Sequence, residues 1–234
     1  MPIAGKVFVY VGGLTLREIS DKLEGYRVSF KDEDLNELVT DIDDTLFAEG
    51  RYQAIYRFDS IVAISSRLGI EIVLKTTITP ILFIESPKAK FLLVLAKKNI
   101  ANRVATELSK ILHGNVGAIV KAMITPEATR KYYESSEGTK VLLLDGIPLP
   151  NMNKMTMYGG DVVQTTLYGE YIGEGEPWYA VFKVQKLGYT VGLVRDGSVT
   201  VFNSIEPQVF VDFIEEYVFP LVLIKKYEQE VDQP

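Results

Sequence analysis

Seven carboxylates and no basic side chain lie between Asp32 and Asp44. Within that stretch Asp34, Glu37, Asp41 and Asp44 step by three, four and three residues, which on a helix makes one negative row. The sign reverses between Lys88 and Arg103, where Lys88, Lys90, Lys97, Lys98 and Arg103 meet no acid. Lys97, Lys98 and Asn99 open a predicted helix, whose free N–H groups with two ammonium groups suit a phosphate or carboxylate.

Other chemistry is excluded by composition. The chain has no cysteine, so thiolate nucleophiles, disulfides and cysteine-bound zinc are ruled out. Its single histidine, His113, precedes Gly114 and fits a cap on the last carbonyls of a helix. No Gly-x-Ser-x-Gly is present, and Gly12-Gly13 lacks the third glycine of a dinucleotide loop. No metal or cofactor is expected, because nothing selects a ligand set.

The elements that must position these groups follow from periodicity. Lys6–Val11 reads as a strand and Thr15–Glu24 as a short helix stopped by Gly25. Leu35, Leu38, Val39, Ile42, Leu46 and Phe47 recur at three- and four-residue steps, predicting a helix over Glu33–Glu49 that carries the acidic row. Strands are predicted at Tyr52–Phe58, Ile70–Thr77, Ile81–Glu85 and Lys90–Ala96, followed by a helix over Asn99–Leu112. Thr125-Pro126 starts a helix to Glu134, Val162–Ile172 reads as a strand, and Asp196-Gly197 marks a hairpin. The segment Pro207–Val218 is a helix apolar nearly all round, so Phe210, Phe213 and Tyr217 are expected at a homodimer interface. These elements predict an α+β fold of two mixed domains, residues 1–115 and 116–234, each a largely antiparallel sheet packed with helices.

Two resemblances bear on this. Asp41-Ile42-Asp43-Asp44-Thr45-Leu46-Phe47 resembles the first motif of the haloacid-dehalogenase-like phosphatases. The resemblance implies magnesium, Asp41 as nucleophile and Asp43 as acid/base. That family enters the motif from a buried strand, whereas the helical stripe here turns Asp41 and Asp43 about 200° apart. The second resemblance, in element order only, is to a repeat of the TATA-binding protein. Leu14–Gly25 stands for its first helix and Ile81–Leu112 for its last hairpin and helix, offering an alternative fold and no function.

The formal net charge is −6, which disfavours direct nucleic-acid binding. The function expected is therefore a non-catalytic, acidic regulatory protein docking through Asp34, Glu37, Asp41 and Asp44 on a basic partner such as a nucleic-acid-binding protein. The alternatives are the phosphatase and an anion or nucleic-acid binder using Lys88–Arg103. The start, Met1 to Lys6, does not read as a secretory signal, and the longest apolar runs are too short to span a bilayer, predicting a cytoplasmic protein. Thirteen tyrosines, many lysines and glutamates and no cysteine match thermophile usage.

Overall fold

The computed structural model describes residues 1–31, 37–48 and 50–224. The chain forms two compact units, Val9–Val120 and Met1–Phe8 with Lys121–Pro234. Strand β1 (Ile3–Tyr10) gives its beginning to the latter and its end to the former.

In the unit Val9–Val120, Thr15 caps α1 (Leu16–Leu23), and its side chain and that of Glu18 each accept the other's backbone N–H, a complete capping box. There follow β2 (Arg27–Lys31), β3 (Glu37–Ala48), β4 (Arg51–Ser66), β5 (Gly69–Glu85) and β6 (Lys90–Val94). They are hydrogen-bonded in chain order as an antiparallel meander. Helix α2 (Lys98–His113) stops at Gly114 in the left-handed conformation, and β7 (Ile119–Lys121) pairs with β1. Alternation builds the core. Tyr52, Ala54, Tyr56 and Phe58 on β4 are buried, beside Ile19 and Leu23 of α1 and Val104 and Leu108 of α2. Phe91 to Val94 are all at 0% exposure, as a strand apolar on both faces requires.

The other unit contains α3 (Pro126–Glu134), β8 (Thr139–Leu149), β9 (Met152–Tyr158), α4 (Thr166–Tyr171), β10 (Glu176–Lys183), β11 (Thr190–Val194), β12 (Ser198–Val201) and α5 (Pro207–Phe213). From the start of β1 its sheet order is β12-β11-β10-β8-β9. Thr125 caps α3 with proline in the first turn, and Asp196-Gly197 turns β11 into β12. Val162–Ile172 is not a strand: a 3-10 turn, Val162–Gln164, leads into α4, whose cap is Thr165. Here threonine capping wins over β-branched content.

The expectation of two α+β domains packed with helices is corrected. Strand accounts for 47% of the structure against 26% helix, and antiparallel sheet dominates, with few and short helices. The largest source of the error is the segment read as an acidic helix, which is β3. Leu38 and Ile42 lie four residues apart, so they share a face on either a helix or a strand. Cross-strand pairing with β4 selects the strand, burying Leu38 at 7% and Ile42 at 2% while Leu46 and Phe47 stay exposed. Gly50, at φ +73°, carries the chain from β3 into β4.

Candidate functional site

Asp41 and Asp43 sit at alternate positions of β3, so they share a side of the sheet. Between them reaches Arg57 of β4, directly opposite Asp41. Its Nε donates to Asp41 Oδ1 and its Nη2 to Asp43 Oδ2, both at 2.8 Å, and Asp44 Oδ2 lies 3.8 Å away. The hydrogen bond with Asp41, then the surrounding carboxylates, hold the Arg57 guanidinium above its usual pKa. Arg27 of β2 is opposite Asp41 on the other side, and Lys31 is opposite Glu37. The row expected to dock a basic partner is thus interleaved with cations, and Asp34 lies outside the described residues. An open cavity of about 300 Å³ beside Tyr26 and Arg27 is lined also by Asp41, Asp43 and Arg57, which are paired with one another.

The phosphatase geometry is not formed there. The strand runs on through Asp41 to Ala48 between antiparallel neighbours, so no carboxylate stands at the carboxyl end of a parallel strand. Among the described residues no group of three or more His, Asp or Glu could hold a metal.

The basic stretch is dispersed. Lys90 donates to the Leu14 carbonyl at 2.7 Å and Arg103 lies 4.0 Å over the Phe58 ring, so both serve their own unit. Lys97 is the N-cap residue of α2 and makes no side-chain cap bond; Lys98 and Asn99 follow, all three exposed. His113 does not cap carbonyls; its Nε2 meets the Tyr10 hydroxyl at 2.8 Å. Burial, then Lys22, holds its pKa below the ordinary histidine value. In the other unit, Phe210 and Phe213 are 0% and 3% exposed, consumed by their own core, and only Tyr217 is half-buried. A cavity of about 450 Å³ there is lined by Lys121–Pro126, Glu176, Arg195 and Asp196. Asp196 binds the fully buried Lys6 ammonium at 2.8 Å.

The outer half of the β4–β5 hairpin has no strand partner among the described residues. The last β3–β4 pair is Thr40 with Phe58, and the first β5–β6 pair is Ile81 with Val94. From Asp59–Thr76 to Ser66–Gly69 the hairpin continues as a two-stranded ribbon with neither edge paired among the described residues. Its sequence explains it: Ile61-Val62-Ala63-Ile64 and Ile70-Glu71-Ile72-Val73-Leu74 are β-formers. At the tip Ser66 Oγ accepts from Leu68 N and donates to the Gly69 carbonyl. At the root Asp59 accepts from Thr76 Oγ1 and from Val39 N. Pro80, opposite Ile55, sits where β6 pairing ends, so its missing N–H leaves no gap in a ladder.

Cross-strand partners share a face, so Ile61 and Leu74, Ala63 and Ile72, and Ile70 beside Ser65 form one apolar strip. Its large members are 40–74% exposed. The opposite face mixes Val62, Ile64 and Val73 with Ser60, Glu71 and Lys75. A lone two-stranded ribbon is marginal in water, and covering each half-exposed Ile or Leu gains about 1 kcal/mol. The alternation at 70–75 was legible as a strand; what the sequence hid is that its large side chains stay exposed among the described residues. No known family model matches this chain, and no curated protein matches it either.

Proposed function

We propose that this chain is an interaction protein that holds another polypeptide along the β4–β5 ribbon and performs no chemistry on a substrate. The observation that carries the proposal is the ribbon itself, an apolar strip in water flanked by two edges unpaired among the described residues, the geometry used in strand addition. The engagement of Asp41, Asp43 and Arg57 with one another supports binding over catalysis. A net charge of −6, with Asp43 and Asp44 some 70% exposed, keeps a basic partner within the proposal. No described helix is long and apolar enough to cross a membrane. The lack of cysteines suits the reducing cytoplasm.

The test compares the wild-type chain with an Ile70→Thr, Ile72→Thr, Leu74→Thr variant, which keeps strand propensity and removes the apolar strip. Complexes are recovered from the native host at low and high salt, and each component is identified and quantified. Wild type should keep a stoichiometric polypeptide partner that the variant loses, while circular dichroism stays unchanged. Contacts made by the ribbon should outlast added salt, and contacts made by Asp43 and Asp44 should not. Equal partners and equal mass for both proteins would dismiss the ribbon as the binding element.

A further inference from the structure

The ribbon has two edges, and they are not equivalent. On the β5 side Ile70, Ile72 and Leu74 are 74%, 62% and 54% exposed, against 40% and 49% for Ile61 and Ile64 of β4. The β4 edge is also tethered at its root, where Asp59 receives the backbone N–H of Val39. Among the described residues the β5 edge shows no such tether. A two-residue turn makes Ser66–Gly69 a hydrogen-bonded pair, so Glu71, Val73 and Lys75 direct their backbone groups to β4. The 3.3 Å contact from Ser60 Oγ to the Lys75 carbonyl fits this parity. Ile70, Ile72, Leu74 and Thr76 therefore offer their N–H and C=O groups outward.

That edge is complementary to itself. In an antiparallel pairing of two β5 strands about a two-fold axis at Val73, Ile72 faces Leu74 of the second copy and Ile70 faces Thr76. On the other side of the sheet, Glu71 of each copy faces Lys75 of the other, so both charges are paired twice. Sliding by two residues sets the charges against neutral side chains, and sliding by four sets Glu71 against Glu71 or Lys75 against Lys75. One register is selected, and the β4 edge, with Ser60, Val62 and Ile64 in the equivalent places, has nothing that could select one.

We propose that the occupant of the ribbon is a second copy of this chain, paired β5 to β5 in this register to make a four-stranded antiparallel sheet. This rests on the interaction reading above and names its partner. Opposite charges directly across a ladder attract and like charges repel, which makes the register testable by exchange of charge. Purified wild type should sediment at twice the 26.2 kDa chain mass. Glu71→Lys and Lys75→Glu should each weaken the dimer roughly tenfold or more by opposing like charges twice. An equimolar mixture of the two variants should recover wild-type affinity as a heterodimer, which also shows that both are folded.

Val73→Cys introduces the only thiol of the chain. A non-hydrogen-bonded pair brings the two Cα atoms to about 4.5 Å, within disulfide range, so mild oxidation should link the dimer. Glu71→Cys should not link, since its counterpart lies roughly 13 Å further along the strand. A wild type monomeric at high micromolar concentration overturns the self-pairing; if it still holds another protein through the ribbon, the interaction reading stands. A dimer indifferent to the charge exchanges and to Val73→Cys overturns the self-pairing as well. If that dimer is also indifferent to the Ile70, Ile72, Leu74 variant, and no other protein is held through the ribbon, both readings fall.

Discussion

A methyl group added at Gly12 would sit 2.3 Å from His113 Nε2 and 2.7 Å from the Tyr10 hydroxyl, so it must push apart a pair of groups that are bonded to each other. Gly12→Ala should cost about 1–2 kcal/mol in urea unfolding, the worth of that bond plus the displaced packing. Leu14 N donates to the Tyr10 oxygen, which leaves the hydroxyl proton for a neutral imidazole. A histidine whose folded pKa is depressed binds protons more readily when unfolded. Stability should therefore be fully present above pH 6.5, the ordinary value, and decline as the pH falls through the lowered value. His113→Gln should flatten that slope between pH 7.5 and 5.5, measured by urea midpoints. At Asp196 the sign of the argument differs, because the Lys6 ammonium it binds is fully buried while Asp196 itself is one-fifth exposed. Asp196→Ala should cost about 3 kcal/mol, and Lys6→Met less, since water can still reach the remaining carboxylate.

At the scale of elements, β3 shows where local periodicity fails. Seven acids on one helix would repel one another, whereas on the strand Arg57 meets Asp41 and Asp43 from sixteen and fourteen residues away. On a helix Ile42 and Leu46 would share the buried face, as on an unbroken strand; the bulge between them turns Leu46 to the other face, leaving it 59% exposed while Ile42 is 2% exposed. Ile42→Ala should thus cost about 2–4 kcal/mol and Leu46→Ala less than about 0.5 kcal/mol, and equal costs would contradict the strand. The bulge after Asp43, with Asp44 at φ +51°, shifts the register of the strand's last residues. By contrast α1 and α3 were readable in advance, because Thr15 with Glu18, and Thr125 with Pro126, act within one turn.

For the whole molecule, the decisive question is whether the ribbon serves the fold or association. Its large side chains are exposed, and beyond the Asp59–Val39 bond at its root its strand pairing among the described residues runs within itself. Replacing Ile61–Leu74 by Asn-Gly between Ser60 and Lys75 keeps a hydrogen-bonded closing pair for a two-residue turn. Melting of the shortened chain in dilute solution should stay within a few degrees of wild type, while sedimentation at high concentration should show loss of association. A large fall in melting temperature would mean that the ribbon holds its unit together. What the sequence determined alone were the features settled by neighbours a few residues apart: helices α1 and α3, the stops at Gly25 and Gly114, the Asp196-Gly197 turn, and the exclusion of thiol and paired-imidazole chemistry. Only tertiary structure decided that residues 37–48 are a strand, that Arg57 occupies the carboxylates, that Phe210 and Phe213 are core, and that β4 and β5 outrun their neighbours. Those outcomes depend on which distant segment supplies the next hydrogen-bonded edge, and a spacing of four residues places two apolar side chains together in either conformation.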